Sequence, residues 1–162
     1  MRAFIYDGCR YLNSLSEECG GSTVFPSANT SDTPGRKSAP LLIAERLTAA
    51  GHTHTLKCNN ADVRELEEAS IAVEAGRAPD GVGLAIRPER GKLVMFFSRH
   101  DDGSIDAASW HGGSDVVAEG KFTLQKFKEI PPEHCSSVDA MQRFVRSVRE
   151  SVRMGIRRGD VS

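Results

Sequence analysis

The stretch richest in chemistry runs from Trp110 to Phe127. With the two-residue side-chain period of an extended strand, Lys121, Thr123, Gln125 and Phe127 share one face, while Phe122, Leu124 and Lys126 share the other. A lysine that opens a face ending in an aromatic ring suits a deep anion site. The competing reading is a solvent-facing lysine at the start of a strand. The same stretch predicts a hairpin, with Val116-Val117 in one strand, Glu119-Gly120 at the turn and Lys121 to Phe127 in the other.

Further segments give this stretch a context. Upstream stand Gly83-Leu84-Ala85-Ile86, Leu93-Val94-Met95-Phe96-Phe97-Ser98, Asp102-Gly103-Ser104-Ile105-Asp106 and Ser109-Trp110-His111-Gly112. Near the start stand Tyr11-Leu12-Asn13 and Glu17-Glu18-Cys19-Gly20-Gly21-Ser22-Thr23-Val24-Phe25-Pro26. In this order the segments resemble the C-terminal half of the catalytic domain of prolyl 4-hydroxylases, over roughly 2–26 and 82–128, about half the chain. That family consists of iron(II)- and 2-oxoglutarate-dependent dioxygenases with a double-stranded β-helix, or jelly-roll, fold.

The resemblance implies a site. The family holds iron(II) with two histidines and one carboxylate, leaving positions for 2-oxoglutarate and oxygen. His111 matches the family's second histidine, and Lys121, ten positions beyond, matches the lysine that pairs with the far carboxylate of 2-oxoglutarate. An ammonium is apt there because it offsets a buried carboxylate. Thr123 adds a hydroxyl, and Phe127 stands where the family often has a tryptophan lining the pocket. Ascorbate, molecular oxygen and a peptide or protein substrate follow from the same resemblance. The first histidine and the carboxylate come, in the family, from an H-x-D motif on a strand before the one matched by residues 2–13. The literal triplet His100-Asp101-Asp102 falls in the loop aligned with the family's Asp-Gly loop and reads as a decoy. His52-Thr53-His54 offers no carboxylate at the right place. One of three ligands is visible, so the expectation is an N-terminally incomplete jelly roll and a truncated record. The alternative is a non-catalytic jelly-roll binding module that has lost its metal.

The elements that must position these residues follow from local pattern. Residues 2–12 read as a strand disturbed by a bulge at Asp7-Gly8, Thr23 to Phe25 as the next strand, and 27–37 as a loop. Ser38-Ala39-Pro40 opens a helix that Gly51 stops; a second runs from Asn60, as cap, or Ala61 to about Ala75, with Gly76 as its stop. Together they form a helical insertion at about 38–78 that covers or lids the sheets. Val82 to Ile86 and Leu93 to Phe97 read as a second hairpin around Pro88-Glu89-Arg90-Gly91. Residues 137–155 form an amphipathic helix, with Val138, Met141, Phe144, Val145, Val148 and Val152 on one side and Arg143, Arg146, Arg149 and Arg153 on the other. The expected fold is mainly β with a helical insertion (α+β): a dioxygenase domain over 1–130, then a helix and tail over 131–162.

The bulk numbers set limits on partners. At 162 residues, 39% hydrophobic and 27% charged, the chain suits one packed domain. A net charge of −1 gives no global reason to expect nucleic acid or an anionic membrane. No apolar run approaches the roughly 20 residues of a membrane span, and residues 1–7 lack a signal-peptide core. Cys9, Cys19, Cys58 and Cys135 have no CxxC spacing, which argues against zinc. They fit free thiols or two disulfides equally, so the compartment stays open.

Overall fold

A computed structural model of the protein describes residues 4–29, 37–52, 61–117, 119–134 and 137–158. The described chain runs β1 (Phe4–Tyr11), β2 (Thr23–Asn29), α1 (Ala39–Ala49), α2 (Ala61–Glu74), β3 (Val82–Ile86), β4 (Leu93–Phe97), β5 (Gly112–Gly113), β6 (Thr123–Glu129) and α3 (Val138–Arg158). The strands form two three-stranded sheets, ordered β4-β1-β6 and β3-β2-β5. The fold is mixed α+β. The three helices together hold more residues than the six strands, which corrects the expectation of a mainly β chain. Both sheets are open, and no closed barrel forms among the described residues.

Both expected hairpins are overturned by this topology. The bounds of β3 and β4 are as the pattern predicts, and the turn between them closes through Lys92 N donating to Glu89 O at 2.9 Å. Yet β3 pairs with β2 and β4 with β1. Val116-Val117 likewise forms no strand with β6: Val116 bridges to Gly20, and β5 pairs with β2. A turn sequence fixes where the chain reverses, and long-range hydrogen bonding decides which sheet takes it next. β1 runs unbroken through Asp7-Gly8, with Asp7 buried, and β2 extends beyond Phe25 to Asn29, into the expected loop.

Two compact units divide the chain. One comprises Met1–Gly8, Met95–Asp106 and Lys126–Ser162; the other comprises Cys9–Val94 and Ala107–Gln125. In the second, α1 starts at Ser38, whose hydroxyl accepts from Leu41 N at 3.3 Å, and ends before Gly51, at φ 80°. Positions 43, 44 and 47 of α1 and 63 and 66 of α2 recur at helical spacing. They bury Ile43, Ala44, Leu47, Val63 and Leu66 in one core with Ala107 and Trp110. Full burial of a Leu or Val stabilises by about 1.5–3 kcal/mol, so this core ties the two helices to the segment that carries Ala107 and Trp110. Asn60, the expected cap of α2, lies outside the described residues.

In the first unit α3 lays Val145 on Ile130, flanked by Tyr6, Phe97, Met141, Phe144 and Val148. Arg149, expected on the solvated side of α3, lies with its guanidinium 4.4 Å from the Phe97 ring and 2.7 Å from Asp101. Arg143, Arg146 and Arg153 are exposed, as the helical period predicts. Among the described residues no helix is long and apolar enough to cross a membrane.

Candidate functional site

The site residues in the second unit are arranged around β2. Its alternation places Thr23 and Phe25 on one face and Val24 on the other, and all three are buried. Thr23 pairs across the ladder with Ile86 on one side and Gly113 on the other, and Val24 pairs with Ala85 and Gly112.

Thr23 also holds Tyr11. The Tyr11 hydroxyl and Thr23 Oγ1 are 2.6 Å apart, and the same hydroxyl donates to Ile86 O at 3.3 Å. Tyr11 is fully buried, and burial pushes its phenol above the usual range. Its ring faces Lys121, whose Nζ lies 5.4 Å from the ring centroid. Burial also depresses the Lys121 ammonium, against the opposing fields of Cys9 and Glu74. No carboxylate forms a salt bridge with Lys121 among the described residues.

Two glycines lie beside this lysine. A Cβ on Gly113 would sit 3.8 Å from Lys121 Nζ. One on Gly21 would meet Lys121 Cδ at 3.6 Å and Leu15 Cδ1 at 2.7 Å, at a backbone φ of +77° that side chains rarely adopt. The outcome is a half-buried ammonium beside an aromatic face and glycine backbone.

His111 immediately precedes β5, a neighbour of β2. Trp110 is locked into the α1–α2 core, with Nε1 donating to Thr48 Oγ1 at 3.0 Å, so the next residue emerges in a set direction. The His111 ring stacks on Phe25, with centroids 5.4 Å apart and planes at 28°. Its Nδ1 is 3.0 Å from Ser109 O. A carbonyl can only accept, so in this contact the ring donates through Nδ1. Phe25, which carries His111, and Thr23, which leads through Tyr11 to Lys121, are two residues apart on one strand, about 6–7 Å.

The remaining expected residues divide. Thr123 opens β6 half-buried in the same unit, whereas Phe127 is 50% exposed and belongs to the other unit. Phe122 and Leu124, on the opposite alternation, are each 63% exposed. His100 and Asp102 turn to separate partners. His100 Nε2 is 3.7 Å from Asp106, while Asp102 Oδ1 accepts from Ser104 N and Oγ, which lowers its pKa. His52 is exposed, and His54 lies outside the described residues. Among those described there is no group of three or more His, Cys, Asp or Glu able to hold a metal. Cys9 and Cys19 are free thiols; Cys58 and Cys135 lie outside the described residues.

Sequence reasoning missed Tyr11 and Thr23 as site residues. Tyr11 was legible only as strand-forming aromatic content, and its partner twelve residues away carries no local signature.

No family model matches the chain. Two curated relatives from Arabidopsis thaliana do match in sequence. "Probable prolyl 4-hydroxylase 3" is 27% identical over 120 residues, 74% of this chain and 29% of the relative. "Probable prolyl 4-hydroxylase 4" is 25% identical over 120 residues, 74% of this chain and 28% of the relative. The chain has a distant similarity to prolyl 4-hydroxylases. It spans less than a third of the length of these relatives.

Proposed function

We propose that the chain is part of a prolyl 4-hydroxylase-like dioxygenase and that Lys121 receives the far carboxylate of 2-oxoglutarate. The observation that carries this reading is the half-buried Lys121 ammonium, which faces Tyr11 and the bare backbone of Gly113 without a carboxylate partner among the described residues. A dicarboxylate supplies the missing charge, and a charge-assisted hydrogen bond gains strength as water is excluded. Tyr11 and Thr23 line the approach. Thr123 adds a hydroxyl.

The strand order supports a jelly roll as the parent architecture. In chain order β1 belongs to one sheet, β2 and β3 to the other, then β4, β5 and β6 alternate between them. That is the pattern of six consecutive strands of an eight-stranded jelly roll, with β2 and β3 as the antiparallel central pair. On this reading 1–130 is the dioxygenase portion, interrupted by the insertion at about 38–78, and 131–162 is an appended helix.

His111 Nε2 is the proposed iron(II) ligand. Iron(II), when bound, supplies the activation of oxygen. The described residues contribute this one imidazole and not the full two-histidine, one-carboxylate set, so they do not by themselves form that centre. The proposed activity is hydroxylation of a peptidyl proline or related residue by molecular oxygen, with 2-oxoglutarate converted to succinate and CO2. Ascorbate is the expected reductant of the iron.

The test compares 2-oxoglutarate with 2-oxopentanoate, which has the same carbon chain without the far carboxylate, by NMR titration of the 162-residue chain. The proposal expects at least tenfold tighter binding of the dicarboxylate, the worth of one charge-assisted hydrogen bond. Equal affinities would remove the role given to Lys121.

A further inference from the structure

Lys121 occupies the last position but one before β6, where no strand ladder yet fixes its direction. Its neighbours are instead gripped by a side chain from the turn after β1. Asn13 Nδ2 donates to Gly120 O at 2.8 Å, and Asn13 Oδ1 accepts from Phe122 N at 2.9 Å. One carboxamide thus bonds the peptide groups immediately before and after Lys121. A third bond, Leu12 N to Phe122 O at 2.9 Å, closes the same register. The carboxamide is suited to this because it presents one acceptor and two donors on a planar end, so it satisfies a C=O and an N–H at once.

We infer that Asn13 is a positioning residue for the candidate anion site: its two-pronged grip on Gly120 and Phe122 holds Lys121 against Tyr11. This rests on the proposed role of Lys121 for its functional meaning, and on the hydrogen bonds alone for its structural one. Asn13 reaches no ligand and acts only through the lysine. Its position bears on the site for a simple geometric reason. Tyr11, which faces Lys121 Nζ, and Asn13, which fixes the backbone of Lys121, lie two residues apart in one segment. The two faces of the lysine's surroundings therefore move together.

The test uses the 162-residue chain with Asn13→Ala, Asn13→Asp and Lys121→Ala, and two readouts. The first is the pH titration of the Lys121 Cε resonance by NMR. Cys9, Tyr11 and Glu74 are the titratable groups that surround this ammonium. In the unaltered chain burial sets its midpoint below that of an ordinary lysine. Asn13→Ala should return the midpoint toward the ordinary value; Asn13→Asp, which loses the donor to Gly120 O and adds a carboxylate that itself raises a lysine midpoint, should move it at least as far. The second readout is the affinity for 2-oxoglutarate, expected to weaken about five- to tenfold in Asn13→Ala and less in Asn13→Asp, from the loss of one or two hydrogen bonds. A Lys121 midpoint unmoved in both folded Asn13 variants overturns the inference. A midpoint that moves while 2-oxoglutarate affinity is indifferent to Asn13→Ala and to Lys121→Ala leaves the grip standing and sinks the 2-oxoglutarate reading instead. Should Asn13→Ala not fold, Asn13→Ser, which shortens the side chain without adding charge, carries both comparisons.

Discussion

Replacing Lys121 with alanine removes the only ammonium that faces Tyr11 and Gly113 among the described residues. Breaking a fully buried ion pair by deleting one partner is destabilising by about 3–5 kcal/mol. Lys121 is only half-buried, so water screens part of that interaction. The range for a hydrogen bond to a charged group, about 1.5–3 kcal/mol, is the better guide. At 1.4 kcal/mol per factor of ten this weakens 2-oxoglutarate binding roughly ten- to a hundredfold. The fold should survive, because truncation removes a half-exposed side chain and leaves Tyr11 bonded to Thr23. Lys121→Arg should recover part of the loss: the charge remains, but a longer, planar fork replaces a compact ammonium. NMR titration of each variant with 2-oxoglutarate measures the effect, with the exposed Lys126→Ala as control. Equal behaviour of Lys121→Ala and Lys126→Ala would refute the strand register and the anion site together.

Four other outcomes follow. Binding of 2-oxoglutarate should weaken as pH rises through the Lys121 midpoint, which burial places below that of an unfolded lysine at about 10.4. Chain stability should move the opposite way: the folded state holds fewer protons than the unfolded one between the two midpoints, so Lys121 makes stability rise with pH across that window, and urea unfolding of the wild type and Lys121→Met at several pH values reads the difference. Gly83→Ala should lower stability by about 2–3 kcal/mol, since Gly83 has φ +76° and its Cβ would lie 2.2 Å from Val73 Cγ2; a loss under 0.5 kcal/mol in denaturant unfolding would contradict the packing of β3 on α2. Cobalt(II), as a paramagnetic stand-in for iron(II), should bind the 162-residue chain weakly and broaden resonances of Phe25 and Ser109; His111→Ala should abolish that broadening, and its persistence would mean that another group holds the metal.

Much of the local structure was legible in the sequence because its signals are local. Ser38 with Pro40 and Gly51 mark both ends of α1, and the apolar spacing of α3 predicts the contacts of Met141, Phe144, Val145 and Val148. The bounds of β3 and β4 follow from composition and the Pro88 to Gly91 turn. Their pairing does not, because β3 joins β2 and β4 joins β1 across long stretches of chain. The same limit applies to the site. His111 and Lys121 were singled out by the family resemblance alone, whereas the outward turn of Phe122 and Leu124 was legible by alternation. The Tyr11–Thr23 bond, the Gly113 opening and the Asn13 grip were not, since each joins segments with no shared pattern. Phe127 illustrates the reverse: its place on the Lys121 face is what alternation predicts, yet it is 50% exposed and lies in the other unit.

The most direct measurement is a residue-resolved NMR map of 15N-labelled chain titrated with 2-oxoglutarate. The account predicts shifts concentrated at Tyr11, Thr23, Gly113, Lys121 and Phe122, all of them lost in Lys121→Ala. Shifts centred instead on the trough of about 650 Å³ beside Ala39, Ala72 and Arg77, or none at any concentration, would contradict it.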